Sequence, residues 1–419
     1  MRVTLAYGTT GLPVDFGRPV DVIEPTGGEP LEDSRESLRT ALRHPIESRP
    51  LRELAAPGDQ VVIVMCDVTR PAPNRAMVRA LLHELAHVPP DRITLLIATG
   101  LHRPCTPAEI EGMLGADIAS AYAVRNHDAE AEDSCRSIGR TSSGRPVAIN
   151  RAYLDADVRI TAGLIEPHFF AGFSGGAKLV LPGVAAAKSI MSNHDATLIG
   201  DPMARWGQLA GNPIHREQRE AARLAGCEFA LNVTVNPARQ ITGIYAGALE
   251  PAHDAGCQAL AREVMRGVDE PYDVVVTTNS GFPLDLNLYQ AVKGMDAGAQ
   301  VVRDGGHVVC AAECREGAGH GAFVHMLRDH ESPSDMLASI VAPGHHQVDQ
   351  WQNQIFARVL DRATVHLHAE GLDDAAVREA FCEPCPDIAE RVEELAGGEG
   401  RVCVLPRGPE TIPYVETSR

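Results

Sequence analysis

Between Gly163 and Pro202 the chain reads GLIEPHFFAGFSGGAKLVLPGVAAAKSIMSNHDATLIGDP, which holds two histidines, His168 and His194, and a lysine, Lys178, directly after Gly175, Gly176 and Ala177. Histidine is the side chain that exchanges acid and base roles near neutral pH, and it also ligates metals. The segment is too rich in glycine to be one helix, and Gly172, Gly175 and Gly176 let the backbone approach a ligand and reach positive φ. A phosphate loop is excluded at two fixed positions: that pattern puts Gly before the lysine and Ser or Thr after it, whereas Ala177 and Leu179 flank Lys178. A zincin is excluded too, because no H-E-x-x-H occurs.

Three further blocks carry reactive side chains: Asp67-Val68-Thr69-Arg70-Pro71, Gly100-Leu101-His102-Arg103, and Tyr289-Gln290-Ala291-Val292-Lys293-Gly294. Together with the E-P-H-F-F-A-G-F-S-G-G-A-K run from Glu166, and with His194 sixteen residues after Lys178, they resemble the nickel-dependent lactate racemase family, in the family's order and over most of the chain. The resemblance implies a nickel-pincer nucleotide, a pyridinium-3-thioamide-5-thiocarboxylic acid mononucleotide carrying nickel, linked covalently to Lys178, with His194 as the protein's metal ligand. It further implies His102 and His168 as catalytic acid/base residues. Asp67, Gly175, Gly176 and Trp351 are implied around the cofactor, and Arg70, Gln290 and Lys293 around the substrate.

The chemistry asks for such a group. Inverting a carbon that bears hydroxyl and hydrogen calls for an acid and a base that exchange roles. The α-hydrogen of a hydroxy acid is too weakly acidic for unaided histidine, so a hydride acceptor is needed, and no side chain is one. A soft sulfur, carbon, sulfur and imidazole donor set suits square-planar nickel. Arginine's fork fits planar oxyanions, so Arg70, Lys293 and Arg103 are candidates to hold a substrate carboxylate or a phosphate.

The elements that must position these residues repeat one grammar. VVIVM at Val61–Met65 and Ile93–Ala98 read as buried strands, each running straight into a reactive block. Val158–Thr161, Val274–Thr277 and His307–Ala311 repeat the pattern. Helices are expected from Asn74 to about His87, after a Thr106 capping box with Pro107 at its first position, and from about Leu286 to Val302, where Gln290 and Lys293 share a face. Alternating strands and helices predict an α/β protein of two α/β domains, with mostly parallel sheets and ligands outside the strands' carboxyl ends. The domains are expected at 1–267, carrying tether, nickel ligand and catalytic histidines, and at 268–419, closing a cleft that holds the active site.

Composition narrows the partners. The formal net charge of -18 argues against nucleic acid. No run approaches a membrane span and the N-terminus has no signal-peptide h-region, so a cytoplasmic protein is expected. Ten scattered cysteines suit reduced thiols, and Cys382-x-x-Cys385 stands alone without a second pair. The function expected is a racemase or epimerase acting at C2 of a small 2-hydroxy acid such as lactate or malate, served by cofactor-synthesis and insertion proteins. A C2 epimerase of a longer sugar acid, and a non-catalytic nucleotide-binding or sensor protein, are the alternatives. A nickel carrier would need an exposed histidine-rich tract, which is absent.

Overall fold

The computed structural model describes residues 1–416. Two six-stranded sheets organise the chain. In the first, strands run in the spatial order Ile241–Gly247, Phe229–Val235, Val158–Leu164, Val61–Cys66, Ile93–Ala98 and Ala123–Asn126. All neighbours are parallel except the first pair. All six residues of Val61–Cys66 are buried, as a central parallel strand covered on both faces requires.

The second sheet runs Glu383–Pro384, Ala363–His368, Val302–Ala311, Tyr272–Thr278, Val402–Leu405 and Asp21–Val22, every pair parallel. Its last strand comes from near the start of the chain. Val3, Leu5, Tyr7, Val14, Phe16 and Val20 pack with Val274, Val276, Val404 and Val392 in one core cluster. The opening residues, grouped by the sequence with the first half, thus complete the second layer, because their apolar side chains cover the face of that sheet.

Helix signals behave as the sequence asks. The Thr106 hydroxyl accepts from the Glu109 amide and the Glu109 carboxylate accepts from the Thr106 amide, starting Pro107–Leu114. The other two expected helices are shorter than expected, at Asn74–Glu84 and Leu288–Ala299. In both sheets the strand order reverses once, and at that reversal the following loops diverge and leave a crevice. In the first sheet it lies between Val61–Cys66 and Val158–Leu164, the strands that lead into Asp67 and Glu166.

Candidate active site

One cavity gathers nearly all the expected residues. Asp67, Arg70, His102, His168, Gly175, Lys178 and His194 line it from the first half of the chain; Gln290, Lys293 and Trp351 line it from the second. The wall is built from strand ends. Beyond Cys66, the Asn74 amide donates to the Cys66 carbonyl at 3.0 Å and pins the turn that carries Asp67 and Arg70. Beyond Ala98 the chain turns at Gly100, φ +55, so that its N–H reaches the Gly183 carbonyl and His102 follows. Beyond Leu164, a short hairpin pairs Pro167–His168 with Gly172–Phe173. Lys178 rides on a 3-10 turn, Gly176–Leu179, and His194 ends the helix Ala187–Asn193.

The two expected catalytic imidazoles are held differently. His102 Nδ1 lies 2.7 Å from Asp67 Oδ2, so its Nδ1–H donates to the carboxylate and Nε2 keeps a lone pair. His168 Nδ1 instead accepts from the Ala171 amide at 3.3 Å, which leaves the proton on Nε2. Burial, then Lys178, Arg70 and Lys293, hold the His168 pKa well below the usual imidazole range, so the ring is neutral. Burial opposes a charge on Asp67, but the bonds from His102 and Thr69 outweigh it and keep the carboxyl below its ordinary pKa. His102 thus offers a base, and His168 a donor.

Lys178 is half-buried between the buried Ala177 and Leu179. Burial, then Arg70 and Lys293, hold its amine well below the usual lysine range, and no carboxylate lies within ion-pair reach of it among the described residues. Its Nζ sits 5.9 Å from the centre of the Phe170 ring. Burial of an unpaired lysine is costly, and conversion of the amine to a neutral amide-type linkage removes that cost. Burial and Lys178 push the His194 pKa down to about 3. His194 Nδ1 faces the Ile190 carbonyl at 3.2 Å, so Nδ1–H donates there and Nε2 is left as a neutral imidazole donor, the form that binds a metal. Edge contacts connect His168 to Phe170 at 4.5 Å, Phe170 to His194 at 5.1 Å and His194 to Trp351 at 5.2 Å. The donor chemistry of Lys178 and His194 therefore fits a tethered, nickel-bearing nucleotide.

On the oxyanion side, Lys293 Nζ donates to Gln290 Oε1 at 2.7 Å, one turn apart on the same helix. Burial and Arg70 pull the Lys293 pKa down to about 7. Arg70 does not pair with Asp67 in a local cap; its Nη1 bonds Glu166 Oε1 at 2.9 Å. Burial works against its charge, but Glu166 and Asp67 more than offset that and hold the guanidinium above its ordinary range.

Asp67, expected around the cofactor, lines the cavity with its oxygens bonded to His102 and Thr69. Two other expectations change. Gly176, also expected there, turns away from the cavity: its N–H bonds Asn232 Oδ1 at 2.9 Å, and a Cβ on it would lie 2.5 Å from the His253 ring. Arg103 leaves the site altogether and forks onto Glu109 at the surface, because that carboxylate caps the adjoining helix.

Sequence reading passed over three contributors, Glu166, Tyr289 and the pair His320–Asp349. Glu166 follows a buried strand as Asp67 does, so the strand-end rule would have found it. Cys382 and Cys385 are buried free thiols, with burial raising the Cys385 thiol to about 11, and they take no part in the cavity.

Comparison with known proteins gives concordant matches. The family model for the lactate racemase N-terminal domain matches residues 7–207, and that for the lactate racemase C-terminal domain matches residues 268–412. The chain is 35% identical over 423 residues to a lactate racemase of Thermoanaerobacterium thermosaccharolyticum, covering 98% of this chain and 99% of that one. It is 38% identical over 380 residues to a lactate racemase of Lactiplantibacillus plantarum, covering 89% of each. The solved lactate racemase apoprotein of T. thermosaccharolyticum superposes with a TM-score of 0.92 at 34% identity, covering 100% of both chains. A Thermotoga maritima protein shares the fold alone, with a TM-score of 0.71 at 17% identity over 93% of this chain and 100% of that one.

Proposed function

The chain belongs to the lactate racemase family, and from that premise we propose that it is an isomerase that inverts C2 of a 2-hydroxy acid by proton-coupled hydride transfer. In this reading a nickel-pincer nucleotide, made and inserted by dedicated partner proteins, is linked to Lys178, and its nickel is held by His194. When bound, that group supplies the hydride acceptor that side chains lack.

The chain's own residues do the rest. Lys293 and Arg70 hold the substrate carboxylate, with Gln290 orienting the ammonium and Glu166 the guanidinium. His102 Nε2 takes the C2 hydroxyl proton, while Asp67 balances the charge arriving on the ring. The Nε2–H of His168, the tautomer that the Ala171 amide fixes, donates to the same substrate's oxygen. Phe169, Phe170 and Trp351 keep water from the reacting carbon.

One observation carries the reading. A half-buried lysine without a counter-ion among the described residues, a neutral imidazole with a free ring nitrogen, and two imidazoles of opposite hydrogen-bonding polarity line one cavity. The test is to produce the protein with and without the cofactor-synthesis proteins, measure its intact mass, and follow single enantiomers of a 2-hydroxy acid panel by chiral chromatography. An added nickel-nucleotide mass, lost in Lys178→Ala, together with racemisation is expected. Full activity in unmodified protein would rule out the tether.

A further inference from the structure

A second aspartate–histidine pair stands on the same cavity wall. His320 and Asp349 both line the cavity, with His320 Nδ1 3.1 Å from Asp349 Oδ2. The imidazole stacks on Tyr289 at 4.3 Å and 24°. Its loop is built tightly: a Cβ on Gly319, φ +97, would meet Asn287 and Tyr289 at 3.0 Å. Asp349 is 4% exposed and sits at φ +65, a conformation costly for a non-glycine residue. A buried carboxylate held in an unfavourable backbone state and directed at one imidazole is the arrangement that already serves His102. His102 and His320 line the same cavity, so the two histidine-bearing loops approach each other.

Resting on the 2-hydroxy acid reading above, we propose that His320 is a specificity-determining residue: its Nε2–H binds the distal carboxylate of a dicarboxylic 2-hydroxy acid whose C1 carboxylate is held by Lys293 and Arg70. The spacing follows from the helix Leu288–Ala299. Tyr289, on which His320 lies, and Lys293 are four residues apart on one face, hence about 6 Å along its axis, a gap that a short dicarboxylate bridges. The charge pattern agrees. Arg70, paired on one side with Glu166, and Lys293 serve one end of the cavity, and at the far side of Tyr289 stands the imidazole that Asp349 favours in its charged form. A monocarboxylate leaves that second donor unused.

Two measurements test it. In the cofactor-loaded enzyme, kcat/KM is determined for malate and for lactate in wild type, His320→Ala and Asp349→Asn. One charge-assisted bond predicts that the malate-to-lactate ratio falls about ten- to a hundredfold in His320→Ala, chiefly through KM for malate, with a smaller fall in Asp349→Asn. Equal losses on both substrates, or loss of the Lys178 adduct in His320→Ala, would assign His320 to the cofactor or to folding and overturn the inference. Wild-type enzyme that racemises lactate without turning over malate overturns it as well, while leaving the racemase reading intact.

Calorimetry of the cofactor-free wild-type chain with malate and with lactate needs no turnover. Tighter malate binding supports the inference even if the racemase reading fails; equal or weaker binding defeats it.

Discussion

His102 and His168 share one cavity but are not equivalent, since an aspartate donates orientation and charge to one and a backbone amide fixes the other. Replacing His102 with Ala is expected to lower kcat about 10²- to 10⁴-fold while the mass of the tethered group stays, a result read by intact mass alongside the chiral assay. Lys293 sets a pH limit. Its amine is charged below about pH 7 and neutral above, so in the free enzyme kcat/KM should fall as pH rises through that value. A flat profile from pH 6 to 9 would remove Lys293 from carboxylate binding. At this scale the sequence is informative where motif residues are contiguous, as in the run from Glu166 to Lys178. It is silent on Arg70 with Glu166, whose pairing spans 96 residues and depends on two adjacent strand ends. It is equally silent on Asp349, whose role exists only once a loop has brought His320 to it.

Among the elements, the turn Gly176–Leu179 that carries Lys178 is shaped from behind. His253 reaches the Ser174 carbonyl at 2.8 Å, and its ring fills the place a side chain at Gly176 would need. Gly176→Ala must therefore move a buried ring and adopt φ +53 with a Cβ, costing about 1–3 kcal/mol. The expected result is a lower Tm and incomplete modification of Lys178, measured by calorimetry and by mass. Wild-type Tm with full modification would show that the turn tolerates a side chain. Glycine in this stretch was legible as backbone freedom, but which glycines face the ligand was not. Gly175 faces the cavity and Gly176 faces His253, a distinction set by the helix Leu249–Val264 packing behind the turn. Strand positions were readable because central parallel strands are continuous apolar runs. Helix starts were readable where a cap or a proline marks them, as at Thr106 and at Asn74 after Pro73, whereas the carboxyl ends of Asn74–Glu84 and Leu288–Ala299 were not.

For the whole molecule, parallel α/β layers follow from the alternation of strands and helices, and no helix among the described residues is long and apolar enough to cross a membrane. The sequence could not show that Asp21–Val22 pairs beside Val402–Leu405, because a two-residue strand has no periodicity to read. A fragment of residues 268–416 would expose the edge of Val402–Leu405 and the apolar face that Leu5, Phe16 and Val20 cover. It is expected to aggregate or melt without cooperativity, and fusion of residues 1–23 should restore a cooperative transition by circular dichroism. A fragment equally stable without them would show that the second layer stands alone. That same strand orders events on the ribosome. Asp21–Val22 emerges early and waits through almost the entire translation for its neighbour, so the first sheet can condense while the second is still being synthesised. The half bearing Lys178 is then complete before the half bearing Lys293 and Trp351 arrives, so one wall of the cavity is built well ahead of the other.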